Sequence, residues 1–350
     1  MLISPAQSPS FRQPSHRRFS VAHAADVGAV RRAVNGYADR LRMGPEVVDR
    51  AEQAATELAA NLLQHALGGG WILARPLPPS AVEILAVDRG PGISDMAAAA
   101  GGRSRRRVGL GCGLPAVARA SSYFDIDTGP GRPTTVLAVV ASGDAARAAA
   151  PRPPRSPRCW AGVSVGLDEA CGDGWAVAEA GGGTTVAVID GLGHGVHASL
   201  AADAALAVLA DDPADLDGYL ERANAAMYGT RGAAVMVCRL LSGRGEMRCL
   251  SVGNISGGIL TDGGQRTLIS CRGTVGTRAT PPPAKVTCYS WQPGATLVLW
   301  TDGLTGHIDL AGYARLFSHD PAIAAAALHR DHNSDHDDST VVVVRNQARP

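Results

Sequence analysis

The chain of 350 residues carries 33 basic and 32 acidic side chains, a formal net charge of +1, and 45% hydrophobic residues. That length suffices for two domains, and the near-equal charges give no global field that would draw nucleic acid or an anionic membrane. Cys112, Cys159, Cys171, Cys238, Cys249, Cys271 and Cys288 are odd in number and never spaced C-x-x-C, which argues against a disulfide framework or thiolate zinc site and for a reducing cytoplasm.

Residues 1–20, "MLISPAQSPSFRQPSHRRFS", hold Ser, Pro and Arg but no apolar signal region, and read as a disordered tail. "PEVVDRAEQAATELAANLLQHAL" has helical apolar spacing with a proline near its start. "AVEILAVDRG" and "TTVLAVVA" read as strands, with "LPAVARASSYF" as a helix between them. The Pro- and Arg-rich stretch around residues 143–158 cannot supply a packed element and reads as a linker. After it come short β-rich runs, "AGVSVGLDEA", "GTTVAVID", "GAAVMVCRLL", "EMRCLSVGN", "GGILTDG", "ATLVLWTDG" and "STVVVVRN", separated by glycine turns. Two helices near 196–210 and 214–228 interrupt them, so this half reads as a sandwich with helices outside. No apolar run approaches the roughly 18–20 residues that span a bilayer.

Chemistry-bearing residues recur at strand ends in the second half. Asp173 stands in "CGDGW", Asp190 in "VIDGLGHG", Asp302 in "LWTDGL", and Asp337 and Asp338 in "DHDDSTVVVV". Asp190 and Asp302 each close an apolar run before glycine, and the Asp337–Asp338 pair opens one. Neighbouring strands would bring these carboxylates to one sandwich edge, where their repulsion calls for divalent cations. Oxygen-only ligands suit Mg²⁺ or Mn²⁺ better than zinc.

The first half has no G-x-x-x-x-G-K-[ST] loop. Instead Glu57 and Asn61 share a helix face at i, i+4, "VDRGPGI" places Asp88 before Gly90 and Gly92, and "GLGCGL" supplies Gly109, Gly111 and Gly113 before a helix. In this order the three signals resemble the histidine-kinase-like (GHKL, Bergerat) ATPase fold over residues 21–142. The resemblance implies a two-layer α/β sandwich binding ATP with Mg²⁺. Asn61 would be a Mg²⁺ ligand, Glu57 the base or water-orienter, and Asp88 the partner of the adenine amine. Gly90 and Gly92 would admit the base, Gly109 to Gly113 would cap the phosphates, and residues 93–108 would form a lid. "GLGCGLPAVARASSYFDIDT" resembles the RsbT-like switch kinases more than the anti-sigma kinases of the RsbW type.

The carboxylate series resembles the SpoIIE-type, RsbX-like branch of the metal-dependent (type 2C) serine/threonine phosphatases over residues 159–346. That resemblance implies an α/β/β/α sandwich with two Mn²⁺ or Mg²⁺ ions. Asp190 would bridge the metals and Gly191 would lend its carbonyl. Asp302 and Asp337 would complete one metal, and Asp173 would act through a metal-bound water. The choice of Asp337 rests on counting back from the last strand, and a count shifted by one residue would give Asp338 instead. His194 would form the turn or sit behind the ligands. The implied partner is a STAS-type (anti-sigma-factor-antagonist-like) protein carrying phosphoserine or phosphothreonine, or a sigma factor if the first half is RsbW-like. Neither nucleic acid nor a membrane is expected as a partner.

Overall fold

The computed structural model describes residues 12–66, 69–94, 113–143 and 158–347. They form two compact units. The N-terminal unit is His16–Ala161 together with Tyr313–Asp331, and the C-terminal unit takes in the described residues up to Ser15, then Gly162–Gly312 and the chain from His332. Among the described residues no helix is long and apolar enough to cross a membrane.

In the N-terminal unit, five antiparallel strands lie in the order β1-β2-β3-β5-β4. They are β1 (Arg17–Val21), β2 (Gly70–Leu77), β3 (Ala81–Asp88), β4 (Tyr123–Gly129) and β5 (Arg132–Ala141). β1 overlaps the end of the stretch read from sequence as a tail: Val21 is fully buried, Arg18 and Phe19 are partly covered, and Arg17 and Ser20 are exposed. Helices α1 (Ala24–Arg40), α2 (Pro45–His65) and α3 (Leu114–Ala120) cover one sheet face. α2 starts with proline in its first turn and buries Ala51, Ala54, Ala55, Leu58, Ala59 and Leu62, a single stripe at helical spacing. α1 begins where the Asp26 carboxylate accepts the backbone N–H groups of Ala22 and His23. The helix expected to run through "SSYF" stops at Ala120, and Tyr123 and Phe124 belong to β4. Ser121 Oγ donates to the Val117 carbonyl as the chain leaves α3.

The opposite sheet face of this unit holds a buried ionic network. Glu83 accepts from Arg75 at 2.7 Å and from Arg158 at 2.7 Å, with His16 Nε2 at 3.2 Å. Arg158, at the end of the expected linker, also grips both oxygens of Asp320. His319 meets Asp125, and Arg315 meets Asp127. Burial by itself would raise the Glu83 carboxyl, but Arg75, Arg158 and His16 hold it well below the usual range. Such a group stabilises the fold above its unfolded pKa of about 4.3 and loses that contribution as the pH falls further. Glu83→Gln should therefore lower the melting temperature at pH 7, by a cost of about 3–5 kcal/mol for breaking a buried pair. It should also flatten the fall in stability between about pH 5 and pH 3, as thermal melts across that range would show. A melting curve unchanged at both pH values would sink this account.

The C-terminal unit contains two five-stranded sheets, ordered β13-β10-β9-β8-β7 and β12-β11-β14-β15-β6. The first holds β7 (Asp173–Ala180), β8 (Gly183–Gly191), β9 (Ala233–Leu241), β10 (Glu246–Val252) and β13 (Thr287–Ser290). The second holds β6 (Trp160–Val165), β11 (Ser256–Thr261), β12 (Gly264–Thr267), β14 (Thr296–Trp300) and β15 (Ser339–Arg345). Trp175 of β7 packs against Gly162 of β6, so the sheets meet face to face. Helices α4 (Val196–Asp211) and α5 (Tyr219–Met227) cover the outer side of the first sheet through Ala201, Ala205, Leu206, Leu209 and Tyr219. The last helix, α6 (Pro321–His332), lies almost wholly in the segment grouped with the N-terminal unit.

Candidate active sites

In the N-terminal unit, α2 carries Glu57 and Asn61 one turn apart, and the turn after β3 lies beside its end. A Cβ on Gly90 would stand 3.5 Å from the Ala66 Cα. Asp88 Oδ1 accepts from the N–H groups of Gly90 at 2.8 Å and Thr134 at 3.0 Å. That fixes the carboxylate and leaves its second oxygen for a ligand. Gly92 has φ of 72°, and a Cβ there would fall 2.1 Å from the Gly129 carbonyl oxygen. Its glycine is thus demanded by the neighbouring strand turn. Burial pushes the Glu57 carboxyl up, opposed by a hydrogen bond from the Gly113 N–H. The Asn61 amide nitrogen is buried without a partner among the described residues, as a residue meant for a ligand is. The free Asp88 oxygen, an acceptor, and the unpartnered Asn61 amide nitrogen, a donor, fit the polar groups of a nucleotide, and Asn61 Oδ1 would be the atom offered to its metal. Gly109 and Gly111 lie outside the described residues, as does most of the expected lid.

In the C-terminal unit, antiparallel pairing sets Asp173 directly opposite Asp190. β14 and β15 pair Trp300 with Val341, so Asp302 and the Asp337–Asp338 pair leave the second sheet at the same end. Burial pushes Asp190 up to about 9, with further upward pressure from Asp173, Asp302, Asp337 and Asp338. Asp302 is raised by burial and by Asp337, against a hydrogen bond from Asn254. Carboxyls that raise one another by their charge form a site that cations would occupy in a proton's place. Among the described residues no three of these side chains already close on one point; Asp190 is instead the hub to which the others add their charge.

The two members of the last pair differ. Asp338 gives one oxygen to the Leu167 N–H at 2.7 Å and the other to the Gly172 N–H at 2.6 Å. Asp337 accepts only from the adjacent Asp338 N–H among the described residues. Asp173 is 1% exposed and accepts from Thr301 Oγ1 at 2.7 Å. Burial pushes it up to about 7 against the bonds from Thr301 and Thr340. Gly191 has a structural reason besides any ion, because a Cβ there would fall 2.1 Å from the Ala198 carbonyl oxygen of α4. His194 pairs at 2.6 Å with Asp168 on the surface. Burial, aided by Asp173 and Asp338, pushes the Cys171 thiol up to about 12, so it is not a nucleophile near neutral pH.

Several contributors carried no sequence signal. Arg12 donates to Ser199 Oγ, the Asp203 carboxylate and the carbonyls of Cys171 and Asp173, bracing the strand start that holds Asp173. Asn254 donates to Asp302 at 2.6 Å. Thr301 and Thr340 hold Asp173 and one another. For Thr301, its place directly before Asp302 in "LWTDGL" was the available hint.

Two family profiles match separate parts of the chain. The histidine kinase-like ATPase domain profile matches residues 20–141, and that of Stage II sporulation protein E (SpoIIE) matches residues 180–347. A chain solved in work on the bacterial stressosome, "a modular system that has been adapted to control secondary messenger signaling", is 28% identical, with a TM-score of 0.49, over 53% of this chain and 98% of that one. RsbX in complex with magnesium is 21% identical, with a TM-score of 0.47, over 53% of this chain and 92% of its own. The S. agalactiae serine/threonine phosphatase is 17% identical, with a TM-score of 0.45, over 54% and 99%. No curated protein matches the chain.

Proposed function

We propose that this chain, a histidine-kinase-like ATPase domain joined to a SpoIIE-type phosphatase domain, is a partner-switching enzyme that writes and erases phosphate on one regulator. We place the ATPase domain at residues 21–142 and the phosphatase domain at 159–346, joined by the linker at 143–158. The observation that carries the phosphatase half is the register that sets Asp173 opposite Asp190, with Asp302 and the Asp337–Asp338 pair leaving the second sheet at one shared end. Two Mn²⁺ or Mg²⁺ ions, when bound, supply an activated water at neutral pH and neutralise the phosphoryl oxygens. Asp190 and the Gly191 carbonyl would hold the ions, and Asp302 and Asp337 would add ligands to one of them. Asp337 is favoured over Asp338 because both Asp338 oxygens are held by backbone N–H groups. Asp173, held by its threonines, acts from behind through water.

The first half takes ATP with Mg²⁺ through Asp88 and Asn61, and Glu57 receives the proton of the acceptor hydroxyl. Its substrate is a serine or threonine on a STAS-domain protein, the same class of partner that the second half dephosphorylates. A linker between opposed activities raises their effective concentration on a shared partner, toward the millimolar range for short flexible chains.

The test incubates the full chain and its variants with Mg·ATP and STAS-domain proteins from the same genome, followed by phosphosite mapping. Asp190→Asn should accumulate a phosphoserine or phosphothreonine that the parent keeps low, and Glu57→Gln should only remove it. If the kinase-competent variant labels no STAS protein, the first half is an ATP sensor or a sigma-factor-binding module.

A further inference from the structure

The rim of the carboxylate cluster in the C-terminal unit has two features that metal binding leaves unused. The first is Arg231, exposed, with no hydrogen-bond or ion-pair partner among the described residues. Strand pairing sets Gly191 opposite Ala233, and the Leu192 N–H donates to the Gly232 carbonyl at 3.0 Å. Arg231 therefore faces Gly193, three residues beyond Asp190. Its Nη1 lies 3.0 Å from where a Cβ on Gly193 would stand. The Gly193 carbonyl and Asp338 Oδ2 both crowd Gly172, at 3.1 Å and 2.8 Å from its Cβ position. The loop that carries Arg231 is held in place, since Thr230 N–H and Oγ1 both donate to the Met227 carbonyl and the Gly232 N–H donates to Thr230 Oγ1. A fixed cation at the edge of an acidic cluster, left unpaired, suits an anion that arrives with the substrate.

The second feature is apolar. Of the six exposed large hydrophobic side chains among the described residues, five stand on the segments that carry Asp190 and Arg231 or touch Asp338: Leu167, Leu192, Val196, Leu200 and Tyr228. Leu192 is in the loop after Asp190, and Val196 and Leu200 follow at four-residue spacing on the outward face of α4. Tyr228 stands three residues before Arg231, and Leu167 is tied through its N–H to Asp338. Isolated exposed leucines need no explanation, but a cluster at the mouth of one site marks a contact surface.

We propose that Arg231 is the cation that grips the phosphoryl oxygens at the C-terminal site, and that the apolar rim selects a phosphorylated serine or threonine flanked by apolar side chains. This specificity rests on the phosphatase reading above. The occupant is a phosphorylated segment of a partner protein, because the rim is continuous with the carboxylate cluster and the unpaired arginine complements a phosphate dianion.

The test uses the full chain with Mn²⁺ and three variants, Arg231→Ala, Arg231→Lys and Leu200→Gln. Phosphoserine peptides with leucine or with aspartate beside the phosphoserine are compared by hydrolysis. Inorganic phosphate and Mn²⁺ binding are measured by calorimetry. Arg231→Ala should raise KM for both peptides, and the Kd for phosphate, by about 10- to 100-fold, with Mn²⁺ affinity unchanged and partial recovery in Arg231→Lys. Leu200→Gln should narrow the preference for the leucine-flanked peptide. An Arg231→Ala protein with parental KM and phosphate Kd overturns the proposal and leaves the phosphatase reading standing. If the parent hydrolyses neither peptide, that reading falls, and phosphate binding lost or kept in Arg231→Ala still decides the role of Arg231. If Leu200→Gln instead converts a dimer to a monomer without altering the peptide preference, the rim is a contact between copies and the selectivity is overturned.

Discussion

The Asp190→Asn protein should hydrolyse p-nitrophenyl phosphate and phosphoserine peptides about a thousandfold more slowly than the parent, a loss of about 4 kcal/mol in transition-state stabilisation. Asp190 is the group on which the charges of Asp173, Asp302, Asp337 and Asp338 converge. An amide of the same shape removes that central charge without disturbing the pairing of β7 with β8. Stability measurements separate this from misfolding. Because burial and its neighbours raise Asp190 to about 9, the folded chain without metal holds a proton that the unfolded chain releases near pH 4. Its stability should therefore fall as the pH rises from about 4 toward 9. Asp190→Asn should lessen this slope, leaving the part due to Asp173 and Asp302, and melt at or above the parent without metal, yet gain less from added Mn²⁺. EDTA should silence the parent. Near-normal hydrolysis by the variant would refute the assignment of Asp190.

In the first half, Asp88→Asn should weaken ATP binding by about 10- to 100-fold, the loss of a hydrogen bond to a charged group. The carboxylate is already fixed by the Gly90 and Thr134 N–H groups, so only its second oxygen is available to an adenine amine. Glu57→Gln should keep nucleotide affinity but slow phosphotransfer by about 10²- to 10⁴-fold, the range for a general base. Glutamine can still accept the Gly113 N–H that Glu57 accepts, so this variant tests proton transfer separately from the local fold. Unchanged ATP affinity in Asp88→Asn, measured by calorimetry, would remove the nucleotide site. Phosphotransfer at the parental rate in Glu57→Gln would make Glu57 structural.

The alternating and continuous apolar runs of β3, β5, β8, β9, β14 and β15 were legible in the sequence, as were α2 and the glycine-marked ends where Asp88, Asp190 and Asp302 stand. Strand β2, "GWILARPL", was not, because Arg75 interrupts its apolar pattern and is buried only through Glu83. Nor was β4, where Asp125 and Asp127 look like a polar loop until His319 and Arg315 are set against them. The end of α3 was also missed, since "SSYF" extends an apolar spacing that suits either element.

The sequence by itself determined most of the element types and which carboxylates and glycines stand at strand ends, because strand and helix periods and glycine turns are local properties of the chain. Tertiary structure decided which carboxylates meet. Asp173 faces Asp190 only through the register of β7 on β8, and Asp338 differs from Asp337 only because Leu167 and Gly172 reach it from 171 and 166 residues away. It also decided that Arg12 braces the Asp173 strand, and that Tyr313–Asp331 joins the N-terminal unit through Arg158, Asp125 and Asp127. Pairings at such separations depend on register and on compensated burial of charge, and neither leaves a mark in the residues next to them along the chain.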